Sequence, residues 1–96
     1  MAGRPVAQWG SFPKGFSLQE SLQTAEDAMN AKGFNLVVRN GFVRIGDNAS
    51  VVLQVSCAPI NADSTEIFVS AFSDDSNAAE LARNEVRTYI LGQANL

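Results

Sequence analysis

The sequence predicts an α+β two-layer sandwich, in which two helices pack on one face of a four-stranded antiparallel sheet. Segments with helical periodicity stand at the two ends of the domain, and four short apolar segments lie between them. Short links between consecutive strands favour a meander. Because each helix has one apolar stripe, both are expected to cover the same sheet face. The predicted order is α-β-β-β-β-α, preceded by an N-terminal arm.

The chain has 96 residues, enough for one domain. Glycine and proline recur in residues 1–16, so we interpret this segment as an arm with room for a short strand near residues 6–9. Trp9 and Phe12 suggest that the arm docks on the domain, which spans residues 17–96.

Composition narrows the classes of function. The formal net charge is −3, histidine is absent, and Cys57 is the single cysteine. The usual zinc sites and histidine-dependent catalysis are therefore excluded. We expect no metal, no cofactor and no catalytic residue, which favours a non-enzymatic protein.

No apolar segment approaches the roughly 20 residues that a membrane span needs. The first residues of the sequence also lack the apolar core of a signal peptide. These observations predict a cytoplasmic protein without a membrane partner, or an exported one if a signal peptide has been removed.

The first helix is predicted over residues 17–32, because "SLQE" has the spacing of a capping box. Gly33 suits the left-handed position that follows a helix. The last helix is expected to begin at Asn77, which with Glu80 repeats the capping spacing, and to end at Gly92.

Asn40 and Gly41 stand between apolar segments and predict a two-residue hairpin turn, in which both residues have a positive φ. This turn places Arg39 opposite Phe42. Since side chains alternate across a strand, one hairpin face is expected to meet the helices. That face carries Leu36, Val38, Val43 and Ile45. The other face carries Val37, Arg39, Phe42 and Arg44.

The third and fourth strands are predicted over residues 51–58 and 65–73. Their alternation separates an apolar face, directed at the helices, from a mixed face. The apolar set is Val51, Leu53, Val55, Cys57, Ile67, Val69 and Ala71. The mixed set is Val52, Gln54, Ser56, Ala58, Glu66, Phe68, Ser70 and Phe72.

The sheet face away from the helices is the candidate site, because it combines arginine, phenylalanine and hydrogen-bonding groups. Such surfaces hold single-stranded nucleic acid, sugars or a second protein. The candidate ligand or partner residues are Arg39, Phe42, Arg44, Gln54, Glu66, Phe68 and Phe72. Four interpretations of this face stay open: it packs against the arm, it forms a homodimer, it binds a protein partner, or it binds a small ligand. The net negative charge of the chain argues against binding of nucleic acid.

This pattern favours a small non-enzymatic binding or protein-interaction module that uses the open sheet face. The alternative is a small enzyme or anion-binding protein with its site between the N-terminal arm and the sheet. Arg39 or Arg44 would then bind an anion, and Glu66 would act as the base.

Two segments carry a resemblance to a known family. The first helix contains "SLQTAEDAMNAKGF" from Ser21, and the third strand is "VVLQVSCA", with Cys57 next to its end. Over residues 17–90 the chain resembles a family of small bacterial domains of unknown function, often exported, with one cysteine in the helix and one in the strand. By this resemblance Ser21 replaces the first cysteine and Cys57 is the second. The resemblance implies the fold and no activity.

Overall fold

The computed structural model describes the backbone of residues 6–93 and the side chains of residues 10–93. In chain order its elements are β1 (Val6–Lys14), α1 (Leu18–Ala31), β2 (Asn35–Arg39), β3 (Val43–Asp47), β4 (Val52–Asn61), β5 (Ser64–Ser73) and α2 (Ser76–Leu91). Neither of these two helices is long and apolar enough to cross a membrane.

The sheet contains five antiparallel strands in the order β1-β5-β4-β3-β2. The prediction of four strands is therefore wrong, although the α+β class fits. The additional strand, β1, comes from the segment expected to be an arm, and it pairs with β5 along its whole length. Its glycine and proline obscure the strand in the sequence, and its partner comes from the far end of the chain.

The core lies between the sheet and the two helices, which pack on the same sheet face. The inward side chains predicted for the third and fourth strands are all buried, so this alternation is confirmed. They are Val51, Leu53, Val55, Cys57, Ile67, Val69 and Ala71. The helices cover them with Leu22, Ala25, Ala28 and Met29 from α1, and with Ala79, Ala82, Val86 and Ile90 from α2.

α1 begins with the predicted capping box. The Ser17 hydroxyl accepts the backbone N–H of Glu20 at 3.2 Å, and the Glu20 carboxylate accepts the N–H of Ser17 at 3.0 Å. Gly33 follows the helix with a φ of 82°, in the left-handed region that was predicted for it. Local sequence alone is therefore sufficient to place this helix.

The start of α2 differs from the prediction. Its N-cap is Asp75, whose carboxylate accepts the N–H groups of Asn77 and Ala78 at 2.9 and 3.3 Å. Asn77 lies inside the helix, so its assignment as the cap is wrong. Aspartate is as good a cap as asparagine, and here its charge also meets the positive end of the helix dipole.

An asparagine opens each of the three hairpin loops. The side-chain oxygens of Asn40, Asn48 and Asn61 accept backbone N–H groups two or three residues further along the chain, at 2.8 to 3.0 Å. These Asx turns reverse the chain through a side-chain hydrogen bond, without a left-handed residue.

The loop between β2 and β3 is longer than the predicted two-residue turn. Arg39 pairs with Arg44 and β3 begins at Val43, so residues 40–42 form the connection. Within residues 6–93, a positive φ occurs only at Gly33, which places Gly41 outside the left-handed region. The predicted register is wrong because the Asn40 side chain stabilises a different turn.

A β-bulge at Val37 changes the facing of β2. The register shifts between Leu36 and Val38, so Leu36 packs against the core while Val38 pairs with Ile45 on the opposite face. Val38 was predicted to face the helices. The bulge reverses this assignment because it inserts one residue into the alternation.

Gly46 determines which face of β3 meets the helices. A Cβ at this position would lie 3.0 Å from the sulfur of Met29 and 3.3 Å from the Cβ of Phe34, so the strand is in close contact with the helix layer here. Because side chains alternate, Arg44 shares this inward face. Val43 and Ile45, predicted to point inward, lie on the outer face instead.

β1 is fixed to α2 on the helix side of the sheet. The ammonium group of Lys14 donates to the backbone oxygens of Leu91 and Gln93 at 3.0 and 2.6 Å, where the helix dipole favours a cation. The guanidinium of Arg87 lies 5.6 Å from the centre of the buried Phe12 ring. The first strand is therefore a fully integrated edge of the sheet.

We expect Gly46→Ala to lower the free energy of unfolding by about 1–3 kcal/mol, because the added Cβ has no space at the α1–sheet interface. Gly41→Ala is the matched control. No atom lies within 4 Å of its Cβ position, so a change within about 0.5 kcal/mol is expected. Denaturant unfolding measures both values. A large loss at Gly41 with none at Gly46 would contradict the observed turn and facing.

Candidate binding face

The open face is the sheet surface opposite the helices. Strand pairing places its side chains in register across all five strands. In the strand order β1, β5, β4, β3 and β2, the open face carries Ser11, Pro13, Glu66, Phe68, Ser70, Phe72, Val52, Gln54, Ser56, Ala58, Val43, Ile45, Asp47 and Val38. The structure thus brings together four of the seven residues predicted for the site, namely Gln54, Glu66, Phe68 and Phe72.

Large apolar side chains of the open face remain in contact with solvent. Phe72 lies opposite Val52, and these side chains keep 38% and 44% of their accessible surface. Phe68 is also 38% exposed. Between the two phenylalanines, Gln54 lies opposite Ser70 and supplies hydrogen-bonding groups. The open face is therefore an apolar surface with a polar row through it.

Charge is confined to the margins of the open face. The register places Asp47 at one end and Glu66 at the other. Among residues 10–93, no lysine or arginine lies on this face, because these residues belong to the helix layer or contact it. The open face is neutral at its centre and acidic at its margins.

Arg39 and Arg44 lie on the helix side of the sheet, so their assignment to the open face is wrong. Both contact Glu26 of α1, with a nitrogen–oxygen distance of 2.7 Å in each ion pair. Arg44 also donates to the backbone oxygens of Asn40 and Val43, the latter at 3.0 Å. Hydrophobic alternation misassigned Arg44 because an inward arginine is stable when a carboxylate on the facing helix neutralises it.

The Glu26 carboxylate is the centre of this cluster. Its side chain is 19% exposed, that of Arg44 11% and that of Arg39 63%. The hydrogen bond from Arg39 lowers the pKa of Glu26 below its ordinary value of 4.5, burial opposes this shift, and Arg44 lowers the pKa further. The cluster therefore joins α1 to the β2–β3 hairpin as an ionised carboxylate held by two guanidinium groups.

Phe42 is the third predicted site residue that does not belong to the open face, because it is not on a strand. It lies in the loop over residues 40–42, and it is exposed. Its backbone oxygen accepts the N–H of Cys57 at 2.8 Å, which ties the loop to β4. The three-residue loop removes Phe42 from the strand position that the two-residue turn predicted.

The residues of the alternative function are not brought together. Arg39 and Arg44 lie on the helix side of β2 and β3, whereas Glu66 lies on the open face of β5. An anion held by either arginine would be on the other side of the sheet from this carboxylate. β1 pairs edge to edge with β5 and continues the sheet instead of lying across its face. The predicted contact of the Trp9 side chain lies outside the described residues.

Ser21 and Cys57 are both buried in the layer between α1 and the sheet, the side of the sheet predicted for Cys57. Burial raises the pKa of the Cys57 thiol to about 11, although the charge of Arg44 lowers this pKa slightly. The thiol is therefore protonated at neutral pH. The Ser21 hydroxyl has no hydrogen-bond partner in the described part of the chain. Across that same part, no three carboxylate or thiol groups cluster as metal ligands.

Sequence reasoning missed Glu26 as a partner of both arginines, and it missed Val38 and Ile45 as members of the open face. Gly46 is the residue from which the sequence could have predicted the facing of β3. A glycine inside a strand commonly marks the close approach of another part of the chain. That reading would have assigned Gly46, and with it Arg44, to the helix side.

No protein-family model matches this chain, and no curated protein matches it. The resemblance to a family of small bacterial domains, including the equivalence of Ser21 and Cys57 with its two cysteines, therefore stays a prediction.

We expect Arg44→Ala to lower the free energy of unfolding by about 2 kcal/mol, because it removes a nearly buried cation from Glu26 and the guanidinium hydrogen bonds to two backbone oxygens. Arg39→Ala is the matched control on the same carboxylate. Its side chain is largely exposed, so a loss within about 1 kcal/mol is expected. Urea unfolding compares the two variants, and equal losses would contradict the difference in burial.

The lowered pKa of Glu26 also predicts a dependence on pH. A carboxylate of this kind stabilises the fold above its unfolded pKa, and this contribution is lost as the pH falls through the folded pKa. The difference in free energy of unfolding between the parent and Glu26→Gln should therefore be constant near neutral pH and shrink below about pH 4.5. Hydrogen bonds with Ser17 also lower the pKa of Glu20. Both proteins contain Glu20, so its contribution cancels in the difference. Urea unfolding at a series of pH values measures this difference; one that persists unchanged in acid contradicts the ion pair.

Proposed function

We propose that this chain is a non-enzymatic protein-interaction module whose open face holds the partner. The observation that carries the proposal is the exposure of Phe68 and Phe72 on a strand whose inward side is completely buried. A sheet needs one apolar face to pack on its helices. The second apolar face is not required by the fold, and it is available for binding.

The dimensions of the open face suit a protein better than a small molecule. Strands lie about 4.8 Å apart with a rise of about 3.3 Å per residue, so the surface from β5 to β2 measures roughly 15 by 20 Å. This is about 300 Å², the size at which apolar patches on monomers are often functional. Small ligands are usually enclosed in concave pockets instead.

The composition of the open face also indicates the chemistry of the partner. Protein interfaces are depleted of charge and enriched in aromatic residues at their centre. Phe68 and Phe72 flank the hydrogen-bonding groups of Gln54 and Ser70, while Asp47 and Glu66 stand at the margins. The complementary partner has an apolar centre and a basic rim. Nucleic acid is disfavoured because its phosphates would meet carboxylates.

A cross-linking experiment identifies the partner. A photoreactive amino acid is placed at Ser70, in the centre of the open face, and cross-linked proteins are recovered from extract of the native host. The matched control position is Leu81, which is 60% exposed on α2 in the opposite layer. A protein captured from Ser70 and not from Leu81 is the expected result.

We expect Phe68→Ser and Phe72→Ser each to weaken binding of the captured protein at least tenfold, because aromatic side chains at the centre of an interface dominate its energy. Leu81→Ser should leave binding unchanged. Each phenylalanine change should cost about 1–2 kcal/mol of stability, less than the roughly 3–5 kcal/mol of a buried phenylalanine. Titration calorimetry and thermal unfolding measure the two effects. Unfolded phenylalanine variants, or variants that bind as the parent does, would contradict the proposal.

A further inference from the structure

β1 presents a long edge of which residues 6–12 lack the charges and prolines that usually protect an edge strand. Its nine residues, Val6–Lys14, pair with β5 on one side, and no strand within residues 6–93 pairs with the other side. The segment carries no charged residue before Lys14. Unpaired N–H and C=O groups on such an edge are a template for another strand, and natural proteins usually shorten, bulge or charge their edges for this reason.

The opposite edge of the sheet has these protective features. β2 has only five residues, a bulge at Val37 and a charged residue, Arg39, at its end. Each of these features hinders the addition of a further strand. The difference between the two edges indicates that β1 is the edge suited to pairing.

Pro13 indicates which groups of β1 point outward. Proline has no N–H, and within sheets its nitrogen is placed at the outer edge, where no bond to the neighbouring strand is lost. Because the direction of the N–H group alternates along a strand, Ser11 and Trp9 donate outward as well. Gly10 and Phe12 then donate inward, to β5.

We propose that a second copy of this chain pairs its β1 with this edge, antiparallel and across a two-fold axis. A two-fold rotation about an axis perpendicular to the sheet sets a strand antiparallel to its copy, so one edge is its own complement. Residues near this axis lie close to their own equivalents, where a charge would meet a like charge. The uncharged segment before Lys14 avoids this repulsion.

The structure holds this edge ready for pairing. Lys14 is hydrogen-bonded to the end of α2, and Phe12 is buried beneath Arg87, so β1 is fixed on the helix side while no other described strand pairs with its outer edge. Pre-formed edges bind with a smaller entropic cost. The dimer has one continuous sheet of ten strands, with both open faces on the same side and accessible to the partner proposed above.

The test compares Ser11→Pro with the matched control Ser11→Ala. Proline at this position removes an outward N–H from both copies and no bond to β5, whereas alanine removes only the hydroxyl group. Sedimentation velocity from micromolar to millimolar concentration should show that the parent and Ser11→Ala dimerise. Ser11→Pro should dimerise at least tenfold more weakly, because two intersubunit hydrogen bonds are lost.

Amide hydrogen exchange of the parent gives a second measurement, which does not depend on the folding of a variant. Raising the protein concentration should protect the N–H groups of Trp9 and Ser11. Those of Gly10 and Phe12, already bonded to β5, should not change. A parent that stays monomeric at millimolar concentration, or protection without this alternation, overturns the inference.

The same measurements separate this inference from the proposed function. Phe68→Ser should dimerise as the parent does, because the open face takes no part in edge pairing. A dimer that is lost in Phe68→Ser and retained in Ser11→Pro places the second copy on the open face and overturns edge pairing. Edge pairing is supported by the opposite pattern, whatever the cross-linking experiment finds.

Discussion

The ion pair between Glu26 and Arg44 decides how the β2–β3 hairpin meets the rest of the molecule. It brings an arginine into the layer between α1 and the sheet, where an unpaired cation would be costly. Gly46, two residues further along β3, gives α1 and Phe34 the space to approach. Together the charge pair and the missing side chain direct one set of β3 residues inward and the other set, which includes the apolar Val43 and Ile45, to the opposite face.

The properties of the open face follow from this arrangement. Because Arg39 and Arg44 are held by Glu26 on the helix side, they contribute no positive charge to the open face. Val43 and Ile45 take the outward positions and extend the apolar surface that Phe68 and Phe72 begin on β5. A surface predicted to combine arginine with aromatic residues therefore has an aromatic, uncharged centre, where neither arginine is available to bind an anion.

The position of β1 separates the two surfaces for which we propose association. Its contacts with α2 through Lys14 and Phe12 fix the strand at the edge of the sheet, so it does not cover the open face. In these proposals, backbone groups serve the edge and side chains serve the open face. Edge pairing depends on unpaired N–H and C=O groups, whereas face binding depends on apolar area, so the two can operate independently.

The sequence by itself determined the elements whose signals are local. The capping box of Ser17 and Glu20 placed α1, and strict alternation placed the residues of β4 and β5 on their correct faces, including Gln54 and Phe68 of the site. Only the tertiary structure decided the facing of the β2–β3 hairpin and the place of β1. Both depend on contacts between segments distant in sequence: a carboxylate on α1 that makes an inward arginine stable, and a strand from the far end of the chain that pairs with β1. Hydrophobic periodicity contains no information on such partners, because it measures only how each segment divides its own side chains between two faces.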